Sequence, residues 1–125
     1  MKKRHLKIFE PVYRSCADIL VDYTFDEMKK WIEESQHESE PKLDDFHRFS
    51  EGVAFQIKGK TGRLHQVIWL ARWKHDTDAI GNLIHELTHL TFRILEVKQI
   101  PIRGDNDEIF CYLLEYYVKE VLKKI

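Results

Sequence analysis

The chain has 125 residues, 43% of them hydrophobic and 12% aromatic, with 20 Lys and Arg against 21 Asp and Glu. That composition describes one globular domain, 1–125, with room for a core but not for two lobes. A formal net charge of −1 gives no general drive towards nucleic acid or anionic membranes. No apolar run approaches the roughly 20 residues of a transmembrane helix. The basic start Met1–Arg4 is followed by no apolar signal core, so a cytoplasmic protein is expected. Cys16 and Cys111 lack metal-ligand or redox spacing and read as reduced thiols.

Leu6 to Tyr13 mixes apolar and polar residues around Pro11, as an edge strand or an extended arm does. Ile19 to Tyr23 is a strand candidate. Thr24 with Glu27 forms a capping box that opens a helix running to about Glu34, with Phe25, Met28, Trp31 and Ile32 on its buried stripe. Ser35 to Asp45 is polar, acidic and interrupted by Pro41, which predicts a mobile surface loop, with His37 solvated in it. Val53 to Ile57 alternates with period two, and Gly59-Lys60-Thr61-Gly62 has turn chemistry. Leu64 to Trp73 completes a hairpin, its nearly continuous apolar run predicting cover on both faces.

Lys74 to Asp78 links to the next helix, with Thr77 or Asp78 as its cap. That helix, about 78–98, carries Ile80, Leu83, Ile84, Leu87, Ile94 and Leu95 for the core. It also carries His85-Glu86-Leu87-Thr88-His89, an H-E-x-x-H pattern. Histidines four apart stand one above the other on a helix, so both imidazoles can reach one ion. Glu86 is then placed to act on a metal-bound water. Gly81 lies one turn before His85, where a small side chain leaves space for substrate or for packing. Arg93 lies one turn beyond His89, to bind a substrate carboxylate or to pair with Glu96.

The last helix, about 106–123, packs through Ile109, Phe110, Leu113, Leu114, Tyr117, Val118 and Val121. Glu108 follows His89 after 18 residues, 90 to 107, room for a turn and an antiparallel return. Its first turn also fits a capping box with Asp105, and Asp105 and Asp107 are rival ligands nearby. Tyr112 and Glu115 follow Glu108 at successive turns.

Over roughly Ile68 to Tyr117 the sequence resembles the zincin metallopeptidases of the glutamate-zincin branch, and small zincin-like proteins of bacteria and phages. That resemblance implies an α+β fold: a small, mostly antiparallel sheet packed on an active-site helix and a C-terminal helix, with a third helix near 25–34. It implies Zn²⁺ held by His85, His89 and Glu108, Glu86 as general base, and a peptide or protein substrate. It further implies that Tyr112 or Arg93 shares the charge of the tetrahedral intermediate, or that Tyr112 orients a ligand. By the same resemblance Trp69, Ala71 and Trp73 line a substrate groove, against a plain core strand as the alternative. Two rival functions stand beside the hydrolase. One is an inactive zincin-like interaction module, presenting Trp73, Tyr116 and Tyr117 to a partner or to a second copy. The other is an accessory protein contacting nucleic acid through the basic termini.

Overall fold

A computed structural model describes residues 2–35, 38–40, 43, 48–59, 62–105 and 107–125, with the backbone alone for 38–40. The chain runs β1 (Arg4–Glu10), β2 (Ser15–Val21), α1 (Phe25–Glu34), β3 (Glu38–Glu40), β4 (Gly52–Lys58), β5 (Leu64–Leu70), α2 (Thr77–Val97) and α3 (Asp107–Lys124). The five strands form one sheet in the order β1-β2-β5-β4-β3. Every pair is antiparallel except β2 with β5. This is an α+β domain, and among the described residues no helix is long and apolar enough to cross a membrane.

Period-two alternation sends the two faces of the sheet to two cores. Ile19, Val21, Ala54, Ile68 and Leu70 face α2 and α3, meeting Leu83, Leu87, Leu90, Leu113, Tyr117 and Val121. Leu20, Phe55, Ile57, Val67 and Trp69 face α1, meeting Phe25, Met28 and Ile32. β5 is therefore covered on both sides, as its apolar run predicts. The Thr24–Glu27 capping box forms in full. The α2 cap is Asp76, whose side chain accepts the Ala79 N–H, rather than Thr77 or Asp78. The predicted loop 35–45 holds the three residues of β3, paired to β4; His37 and Pro41 lie outside the described residues.

Two further expectations give way to packing. β5 ends at Leu70 rather than Trp73, because Ala71 N–H turns to the Glu51 carbonyl and Trp73 N–H to Asp22 Oδ1. Trp69, Trp73 and Tyr117 are buried, at 1%, 4% and 0% exposure. Trp69 Nε1–H donates to the Tyr23 carbonyl at 2.8 Å, and Tyr117 Oη sits 2.8 Å from Ser15 Oγ. A strand in the middle of a sheet has no edge along which to bind substrate, and buried aromatics present no surface to a partner.

A buried carboxylate ties the β1–β2 turn to α3. Glu10, fully buried, accepts the N–H groups of Val12 and Tyr13, the Ser15 hydroxyl at 2.9 Å and the Tyr112 hydroxyl at 3.0 Å. Burial pushes its carboxyl up, but these hydrogen bonds outweigh it and hold the group below the usual 4.5. A depressed folded-state value stabilises the protein above the unfolded value and loses that contribution as pH falls through the folded one. Glu10→Gln is therefore expected to cost about 1–3 kcal/mol at neutral pH. The gap between wild type and variant should shrink as denaturation curves are repeated below pH 4.5; a constant gap would refute the ionic origin.

Candidate metal centre

α2 is amphipathic in three sectors. Leu83, Leu87, Leu90 and Ile94 enter the core. His85 and His89 face outward and are exposed. Between these two sectors lies a polar seam of Asn82, Glu86 and Arg93, spaced three to four residues apart or two turns apart, which runs along β4. The helix can lie close to β4 because position 52 is glycine. A Cβ there would stand 2.9 Å from Asn82 Nδ2, 3.0 Å from the Trp69 carbonyl oxygen and 3.4 Å from Glu86 Cγ. The first two contacts are closer than a methyl group tolerates, and one of them is backbone.

His85 Nε2 and His89 Nε2 are 3.2 Å apart, with the rings edge to face at 4.8 Å. Glu86 Oε1 lies 3.9 Å from His85 Nε2. The three side chains converge with all donor atoms within 4.8 Å of one another, a group that could hold a metal ion. Burial lowers the proton affinity of His89, and the charges of His85 and Arg93 lower it further. That favours the neutral imidazole a metal requires.

Glu86 is only 5% exposed. Burial raises its pKa above 4.5, against the opposing pull of His85, the Ala54 N–H it accepts, and Arg93. Its second oxygen, Oε2, is buried without a hydrogen-bond partner among the described residues. Such an atom is costly unless something donates to it.

The other candidates lie elsewhere. Glu108 is exposed in the first turn of α3 and is not among the converging donors. The helices are antiparallel as expected, but Phe110 packs on Phe92 at 4.8 Å. That contact puts the first turn of α3 past His89, towards the C-terminal end of α2. Asp105 is exposed beside Arg103 at 3.4 Å, and Asp107 is exposed too. Glu115 pairs with Lys119 at 2.7 Å. The Tyr112 hydroxyl is committed to Glu10, on the β1 side of the molecule. His75 faces Trp73. Arg93 makes no ion pair with Glu96 or any other described residue, and its Nη1 is buried without a partner.

Two features were not legible as part of the site. One is Gly52. The other is the edge of β4 that faces away from β5. Glu51 and Gly59 hydrogen-bond across to the β5 side, so the alternating backbone groups of Gly52 and Ala54 point the other way. Among the described residues, β3 pairs with that edge from Gln56 to Lys58, and the Ala54 N–H donates to Glu86.

Two glycine substitutions should behave oppositely. Gly52→Ala is expected to force α2 off β4, costing about 1–3 kcal/mol and loosening the Glu86–Ala54 contact. At Gly81 an added Cβ meets nothing within 4 Å, so Gly81→Ala should stabilise α2 by roughly 0.5–1 kcal/mol. Thermal melts of both variants test this; a destabilised Gly81→Ala would reveal a packing role the geometry does not contain. Compared with known proteins, the chain matches no family model, no curated protein and no solved structure.

Proposed function

We propose that this protein is a zinc-dependent hydrolase acting on peptide bonds, with His85 and His89 holding the metal and Glu86 serving as general base. One observation carries the proposal: two imidazole nitrogens poised on one helix face beside a buried carboxylate, whose Oε1 lies 3.9 Å from His85 Nε2. The nitrogens, 3.2 Å apart, match the roughly 3.3 Å that a tetrahedral zinc with Zn–N bonds of about 2.0–2.1 Å imposes on a pair of ligands. A bound zinc ion would supply a water of pKa near 7 and a Lewis acid for the scissile carbonyl.

The residues then divide the work. His85 and His89 orient the site from a rigid helix. Glu86 Oε1, the oxygen 3.9 Å from His85 Nε2, would accept the proton of the attacking water and hand it on to the leaving amine, and a pKa raised by burial makes the carboxylate a stronger base for the first of these steps. The Ala54 N–H, by holding the carboxylate, fixes which oxygen faces the reaction. Catalytic zinc sites normally have three protein ligands; Glu108, the ligand implied by resemblance, is left out of this assignment by its position.

Metal analysis of purified protein tests the proposal together with hydrolysis of a peptide library. One zinc per chain is expected, lost in His89→Ala and kept in Glu108→Ala. Glu86→Gln should keep the metal while turnover falls by about a hundredfold or more. Loss of zinc from Glu86→Gln would make Glu86 a ligand and overturn its role as base. A metal-free wild type that folds equally well as His89→Ala would sink the enzyme.

A further inference from the structure

A concave site lies at the C-terminal end of α2, on residues the metal centre does not use. It is a cavity of about 210 Å³ between the β1–β2 turn, the start of β5 and the last turn of α2. Among the described residues Arg14, Arg63 and Lys98 line it and no carboxylate does, while Leu64 and Ile94 form an apolar part of the wall. Several surface cations are paired, as Arg48 is with Asp26, Arg72 with Glu51 and Lys119 with Glu115. Neither Arg14 nor Arg63 has a side-chain partner among the described residues, and Lys98 Nζ reaches only the Arg14 carbonyl oxygen, at 3.5 Å.

The backbone adds a second observation. Arg14 sits at φ +54°, in the left-handed region that Gly, Asn or Asp adopts at lower cost. The turn thus carries a guanidinium at a position whose backbone favours other residues, a pattern that points from strain towards use. Three cations with no carboxylate partner among the described residues, around one cavity in a chain of net charge −1, make a local positive field in a concave site where field lines concentrate. Guanidinium groups suit the multiple oxygens of phosphate, and the lysine supplies a mobile point charge.

We propose that this cavity binds a small phosphate-type oxyanion, with Arg14, Arg63 and Lys98 as donors and the Leu64–Ile94 wall receiving the organic part of a phosphomonoester. The site stands whether or not the histidines bind zinc.

Cys16 makes it testable in the intact protein, because its thiol lines the cavity while Cys111 stands exposed on α3 as an internal reference. Both thiols are free. The protein is alkylated with anionic iodoacetate or neutral iodoacetamide, and each cysteine is followed by peptide mass spectrometry. The iodoacetate-to-iodoacetamide rate ratio at Cys16 should exceed that at Cys111 by about threefold or more. Inorganic phosphate or methyl phosphate, at ionic strength matched with chloride, should slow alkylation of Cys16 and leave Cys111 unchanged. Stronger protection by methyl phosphate identifies a phosphomonoester; equal protection identifies the free oxyanion. Both effects should vanish in Arg14→Gln/Arg63→Gln, two exposed positions whose replacement spares the core, with circular dichroism confirming the fold. Absence of phosphate protection at Cys16, or equal protection of both cysteines, overturns the proposal whatever the rate ratio.

Discussion

The approach of α2 to β4 at Gly52 is the contact on which the candidate centre depends. Without a side chain at position 52, the helix settles until Asn82 and Glu86 touch the strand. Only at that separation can Glu86 accept the Ala54 N–H while its neighbours Leu83 and Leu87 enter the core. The same contact buries a carboxylate, which is unfavourable unless the group is satisfied or put to use. One oxygen is satisfied. The other is not. A structural role alone explains the first oxygen and leaves the second without a purpose.

Among the described residues two carboxylates are buried, Glu10 and Glu86, and their surroundings differ. Glu10 is surrounded by donors, so burial and ionisation coexist and its proton affinity falls. Glu86 has one backbone donor and partial help from the His85 and Arg93 charges, so burial prevails and its proton affinity rises. The contrast comes from how many donors face each group. Glu10 serves as a staple that joins the β1–β2 turn to α3 through Ser15, Tyr112 and Tyr117. Glu86 lies beside the two histidines in a group that could hold a metal ion. Tyr112, whose spacing after Glu108 resembled that of a site residue, belongs to the staple.

The histidines, by contrast, are exposed. Their face of α2 is flanked by Ile84 and Phe92, which are 39% and 45% exposed. An accessible pair of imidazoles next to a buried carboxylate is a group that could hold a metal ion. The cationic cavity lies towards the other end of the helix. α2 thus carries the histidine cluster and one wall of the cationic cavity while its apolar stripe holds the domain together.

Sequence by itself determined the features set by local backbone geometry. Thr24 and Glu27 make their capping box because an N-cap and its third residue always meet. His85, Glu86 and His89 converge because the helical repeat brings residues four apart together. The 52–58 and 64–70 hairpin and its doubly covered second strand followed from period-two alternation and turn residues. Tertiary structure decided everything that depends on the relative level of distant elements. Glu108 misses the histidines because Phe110 chose Phe92 as its neighbour, an interlocking of side chains that an 18-residue spacing does not encode. Trp69 and Trp73 are buried rather than groove-lining because β2 joined β5 in parallel and left it no edge. Tyr112 turned to Glu10 because α3 packs along β1, with Tyr116 and Ile125 meeting Phe9 and Arg4 further on. Helix periodicity fixes which residues share a face; only packing of the whole domain fixes what that face meets.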